Sequence, residues 1–244
     1  MTTIAQTRRR LRRVSMLSAL GFSCFAAACG PTLQNPLPCD LVQVISNELS
    51  PSEAQEYCRY ASGERQKVER FWGATWREPI RIHVSKSYRI TRALVPGYFG
   101  NRGFIEMPLR RVRDHTGALL HEIVHVYAPH NNRFLAEGLA VYLHARFAGN
   151  PAFPNFSEDL RRSAARRLTT VPSLKILNAV RTPRPLSTVM NEETAYTVAG
   201  SFVRFLIENY GLESFRKVYE SEDYDKVYAK SLDLLETEWR RSLR

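Results

Sequence analysis

No stretch of this chain offers the roughly 20 consecutive apolar residues that a membrane-spanning helix needs. The apolar stretch near its start, Val14 to Ala28, falls short of that length. Internal repeats and low-complexity tracts are also absent, which excludes a solenoid or a tail-like disordered protein. Cysteine is scarce, four in 244 residues, and Cys39 and Cys58 lack the close spacing of a zinc-knuckle pair. No nucleic-acid motif or aromatic-basic interleaving accompanies the net charge of +11. Five of the positive charges (Arg8, Arg9, Arg10, Arg12 and Arg13) crowd into the first segment, and removing them leaves a mildly basic body of +6. Nucleic acid is therefore not an expected partner. What is present is 44% hydrophobic and 24% charged residues, enough for a globular domain with a substantial core.

The first 28 residues have the parts of an export signal: the basic run TRRRLRR, the apolar stretch, and small residues Ala26 to Ala28 before Cys29. Phe25-Ala-Ala-Ala-Cys29 resembles a bacterial lipobox, so Cys29 is expected to carry lipid and anchor the chain to a membrane. Residues 29–49, with the Pro-rich GPTLQNPLP, read as the tether. Gly30 favours the outer membrane or its periplasmic face, and the localisation expected is that of a cell-envelope lipoprotein. Loss of Cys24 with the signal leaves Cys39 and Cys58, an even pair suited to a disulfide in an oxidising compartment.

Residues 50–244 read as a single α+β domain: a small β-hairpin and sheet region packed on a mainly helical body, not alternating βαβ units. Ser50-Pro51-Ser52-Glu53 starts a helix that runs to about Trp72. Residues 79–84 alternate like a strand, and Tyr98 to Ile105 reads as a hairpin around Gly100-Asn101-Arg102-Gly103. Thr116 is positioned to cap a helix ending at Tyr127. Further helices are expected at about 132–147, 157–168 and 192–210, with prolines at 172, 183 and 185 between the last two and two shorter helices at the C-terminus.

His121-Glu122-Ile123-Val124-His125 is a His-Glu-x-x-His motif. Residues four apart share a helix face, so both imidazoles can converge on one ion. Glu122, about 100° around the helix, can act as general base without ligating. These are the ionisable groups of an otherwise nearly apolar helix, and burying them without a cation is unfavourable. A zinc site needs a third protein ligand, and Glu137 is the charged residue in the apolar run Leu135 to Leu143. A turn at 129–132 would fold its helix back onto the first. Gly138 suggests that this helix packs closely against another. His144 is expected on the surface, and His83 and His115 have no spacing that points to the metal. A metzincin-type third histidine does not fit: His130 is one place off.

At these residues the sequence resembles the gluzincin zinc metallopeptidases, particularly the bacterial peptidase-MA-like branch. HEIVH at 121–125, AEGLAVY at 136–142 and the segment Ala195 to Gly211 carry the resemblance. It implies one zinc ion on His121, His125 and Glu137, Glu122 as general base, and Tyr196 as a hydrogen-bond donor to the tetrahedral intermediate. It implies hydrolysis of peptide bonds in a peptide or protein substrate. The Gly-x-Met-Glu-Asn motif of the aminopeptidases is missing, although Gly103 to Met107 has some likeness to it, with Glu106 as a candidate anchor for a substrate amine. An edge strand of the hairpin is expected to lie along the cleft and pair with extended substrate. Two other functions fit the same residues: a zinc-binding envelope scaffold without turnover, and a hydrolase of peptidoglycan cross-links.

Overall fold

The computed structural model describes residues 37–94, 103–169 and 191–244. The chain enters through two short strands, β1 (Leu37–Cys39) and β2 (Val42–Ile45), paired antiparallel. These residues were expected in the tether; they are part of the sheet instead. The long helix α1 (Pro51–Trp72) starts as its sequence predicts. The Ser50 hydroxyl accepts the Glu53 N–H at 3.2 Å and the Glu53 carboxylate accepts the Ser50 N–H at 2.8 Å, with Pro51 at the first turn. Gly73, at φ +98°, ends it. The helix returns the chain to β3 (Ile80–Ser85), which lies parallel to β2. Strand, helix and parallel strand form a βαβ crossover, contrary to expectation. Its first strand has only four residues and was read as tether, so the crossover had no visible beginning. A disulfide between Cys39 and Cys58, Cα atoms 5.7 Å apart, fastens the end of β1 to α1.

Two more strands, β4 (Arg92–Leu94) and β5 (Phe104–Pro108), complete a five-stranded sheet of order β1-β2-β3-β5-β4. β5 is parallel to β3 and antiparallel to β4, which is an edge of the sheet among the described residues. The hairpin differs from expectation in its first arm: β5 pairs with Arg92–Leu94, upstream of the anticipated Tyr98 and Phe99. Those two residues and the turn at 100–102 lie outside the described residues. Gly103 is required because a Cβ there would come within 2.7 Å of the Trp76 ring.

From β5 the chain is helical: α2 (Leu109–Arg113), α3 (Leu119–Tyr127), α4 (Arg133–Phe147), α5 (Leu160–Leu168), α6 (Glu192–Tyr210), α7 (Leu212–Ser221), α8 (Tyr224–Tyr228) and α9 (Leu232–Ser242). The α+β class with a mainly helical body is as expected. Thr116 does not cap α3; its N–H closes onto the Arg111 carbonyl at 3.1 Å, and α3 starts at Leu119 without a side-chain cap. α5 starts three residues later than expected because Phe156 and Ser157 take left-handed backbone (φ 46° and 69°) before Asp159 caps it. Left-handed Glu222 and Ala229 divide the C-terminal segment into three helices where two were expected. The prolines at 172, 183 and 185 lie outside the described residues. No helix among the described residues is long and apolar enough to cross a membrane.

α4 and α6 cross at close range. A Cβ on Gly138 would fall 2.6 Å from Val203 Cγ2, and one on Gly200 would fall 2.4 Å from Val141 Cγ1. Trp239 of α9 is buried beneath them, edge-on to Phe202 at 5.6 Å and donating to Ser201 Oγ at 3.1 Å. This packing fixes where Glu137 points.

Candidate metal centre

All nine residues of α3 are buried, His121, Glu122 and His125 among them. A five-residue turn joins α3 to α4, held by hydrogen bonds at Ala128, His130 and Asn132. Asn132 Oδ1 accepts the N–H groups of Phe134 and Leu135 at 3.1 and 3.2 Å, capping α4. Its amide donates to Glu222 at 2.7 Å, and the Tyr219 hydroxyl donates to the Ala128 carbonyl at 2.7 Å. His130 accepts the Asn132 N–H at 2.9 Å and packs on Tyr219, so it shapes the turn and stays away from the histidine pair.

The turn brings α4 back so that Glu137, 1% exposed, meets both imidazoles. His121 Nε2 and Glu137 Oε2 lie 3.0 Å apart, His125 Nε2 and His121 Nε2 3.1 Å, and His125 Nε2 and Glu137 Oε2 3.3 Å. A tetrahedral zinc with bonds of about 2.0–2.1 Å sets its ligand atoms about 3.3–3.4 Å apart, close to this triangle. Two imidazole nitrogens turned toward each other and toward one carboxylate oxygen are poorly satisfied by hydrogen bonds alone. The donor set of two nitrogens and one oxygen, all buried, fits a zinc ion. Among the described residues these three are the cluster able to hold a metal. Burial disfavours both charged forms. The mutual attraction outweighs it, so the His121 pKa is raised and that of Glu137 is held well below the usual carboxylate range.

Sequence reasoning missed Arg133. It sits four residues before Glu137, one helical turn away, and its guanidinium pairs with Glu137 Oε1 while Oε2 faces the histidines. The i, i+4 spacing could have revealed it. Arg133 also hydrogen-bonds Tyr196. The Tyr196 ring lies nearly parallel to that of His121, 6.3 Å away, and edge-on to Phe153 at 5.5 Å. Burial, then the Glu137 charge, raises the Tyr196 pKa, so its hydroxyl stays protonated and able to donate. Glu122 Oε2 accepts the backbone N–H of Ala93, on edge strand β4, at 2.7 Å. His144 is buried, against the expectation of a surface position, because α4 is covered on that side as well. Its Nε2 faces the Asn150 carbonyl at 3.3 Å, and burial, then the nearby His121, lowers its pKa to about 4.

A cleft of about 510 Å³ opens onto these groups. Thr91 and the start of β4, Arg92 and Ala93, form one side, and Phe153, Phe156 and Tyr196 form an aromatic wall. Ile90 and Phe156, each 58% exposed, stand at its lips. Glu106 is not an amine anchor here: it is bound by Arg92 and does not line the cleft. His83 packs on Phe104 within the sheet, and exposed His115 lies against Tyr60. A second hollow of about 310 Å³ between α1 and α2, lined by Tyr57, Tyr60 and Val112, is separate from this chemistry.

No family model matches this chain, and no curated protein matches it. Among solved structures it resembles an M1 zinc metallopeptidase from Deinococcus radiodurans, with TM-score 0.49 and 14% identity over 82% of this chain and 47% of that one. A mutant of that enzyme bound to Tyr-ser-ala substrate gives TM-score 0.46 at 14% identity, over 85% and 51% of the two chains. A mutant described as a two-domain form bound to L-arginine gives TM-score 0.44 at 18% identity, over 83% and 47%. The chain thus spans about half the length of the structures it matches. None of these likenesses is near enough to carry an activity across, which has to be argued from the residues themselves.

Proposed function

We propose that this chain is a zinc-dependent peptidase of the bacterial cell envelope, exported and held by lipid on Cys29 at the outer membrane or its periplasmic face. The observation that carries the chemistry is the buried triangle of His121, His125 and Glu137 with the Glu122 carboxylate one residue along the same helix, at the floor of an open cleft. His121, His125 and Glu137 hold one zinc ion, which supplies the positive charge that acidifies a water and polarises a carbonyl. The Ala93 N–H fixes one oxygen of Glu122 and leaves the other to take a proton from water and return it to the departing amine. Protonated Tyr196, steadied by Arg133, donates to the carbonyl oxygen as negative charge develops there. Among the described residues β4 is an edge of the sheet beside Glu122, along which an extended peptide can lie.

The test is metal analysis together with cleavage of an internally quenched peptide library. Wild type and Glu122→Gln should each hold one zinc per chain, and the variant should lose about 10²–10⁴-fold in kcat/KM. Tyr196→Phe should fall by about 10²-fold or more, mainly in kcat. Undiminished cleavage by Glu122→Gln removes that residue from the mechanism. Zinc without cleavage by either protein identifies a binding scaffold, and cleavage confined to muropeptides identifies a cross-link hydrolase.

A further inference from the structure

We infer that Arg111 reads a carboxylate on the substrate, so that the peptides taken best carry an acidic side chain or a free C-terminal carboxylate close to the bond that is cut. This rests on the peptidase reading above. Three arginines line the cleft, and two of them are spoken for. Arg92 pairs with Glu106, and Arg133 with Glu137 and Tyr196. Arg111 has no ion pair or hydrogen bond from its side chain among the described residues, and its Nε is buried without an acceptor. The cleft's own carboxylates do not answer it. Glu122 is held by Ala93 N–H and Glu137 by the histidines and Arg133. Exposed Glu192, at the start of α6 near Tyr196, makes no ion pair with it.

The stem of Arg111 is fixed from below. Its carbonyl accepts the Thr116 N–H at 3.1 Å, and the chain passes so close that a Cβ on Gly117 would meet Met107 Sδ at 2.7 Å and Arg111 Cβ at 3.7 Å. Arg111 therefore lines the cleft from a backbone held by α2 and by the Thr116 N–H. It lines the same cleft as Glu122 and as Ala118, whose carbonyl accepts the Glu122 N–H at 3.2 Å. A guanidinium that lines the cleft without an acceptor among the described residues matches the two oxygens of a carboxylate.

The experiment is equilibrium binding to zinc-loaded Glu122→Gln protein, followed by fluorescence anisotropy. The probes are labelled heptapeptides in which one Asp is moved along an otherwise neutral sequence, each with its Asn counterpart, and each with a free or an amidated C-terminus. One Asp position, or the free C-terminus, should bind about 10-fold more tightly than its neutral partner. Which arm shows the preference separates side-chain from terminal recognition. In Arg111→Gln the ratio should collapse to about one, in Arg111→Glu a Lys probe should overtake the Asp probe, and Arg111→Lys should keep part of the preference. Arg111→Lys also guards against loss of fold. Equal binding of charged and neutral probes throughout, or a ratio that survives in Arg111→Gln, overturns the inference while leaving a charge-blind peptidase. Failure of every peptide to bind sinks the peptidase reading and this inference together.

Discussion

His144 shows what a single buried side chain does to the behaviour of the molecule. With its pKa lowered to about 4 by burial, then by the neighbouring His121, it stays neutral in the folded protein at pH values where a free imidazole, near 6.5, has already taken a proton. As pH falls, the unfolded chain binds that proton first, so stability drains away between pH 6.5 and 4. At the lower limit the loss amounts to about 3 kcal/mol. Denaturant titrations of metal-free wild type and His144→Gln across that window should show a shallower fall in the variant. Parallel curves would show that His144 does not titrate as its surroundings demand. Arg133 acts at the same scale by another route. Its i, i+4 partnership with Glu137 aligns one carboxylate oxygen so that the other faces the imidazoles.

Among the elements, the crossing of α4 and α6 governs the site most directly. Gly138→Ala would gain about 1 kcal/mol in helix propensity, yet its methyl group would press on the Ala199 carbonyl at 2.8 Å and on Val203 at 2.6 Å. Backbone cannot give way as a flexible side chain can, so a net loss of about 1–2 kcal/mol is expected. Because Glu137 is the adjacent residue, zinc affinity should weaken too. Thermal melts and competition with a zinc chelator would read both effects, and a higher melting temperature for Gly138→Ala would refute the packing argument. The helices were legible in the sequence because their ends are written locally: Ser50-Pro51-Ser52-Glu53, Asn132, and Gly211 after Tyr210. The three convergent metal-facing side chains were legible for the same reason, being one turn apart on a single helix plus the charged residue in the apolar run of the next. The sheet was not. β2 has four residues and pairs with β3 across the whole of α1, and such non-local pairing leaves no mark at short range. Arg133 was overlooked although its spacing was plain, and the burial of His144 depends on neighbours remote in the chain.

Over the whole molecule, the sheet and the helical body are joined early in the chain by the bond between Cys39 and Cys58. It closes a loop with a sequence separation of 19, for which removal costs about 3 kcal/mol. The double variant Cys39→Ala/Cys58→Ala should therefore melt lower than wild type under oxidising buffer, and the two should converge when wild type is reduced. Identical melting under both conditions would deny the bond a stabilising role. Another long-range tie lies near the end of the chain, where Tyr219 and Glu222 clasp the turn between α3 and α4 from 91 and 90 residues away. A polypeptide that emerges from its N-terminus carries both histidines and Glu137 well before it has made the pieces that align them. The turn that brings His121, His125 and Glu137 together thus gains its full set of hydrogen bonds only late in biosynthesis, when Tyr219 and Glu222 have been made.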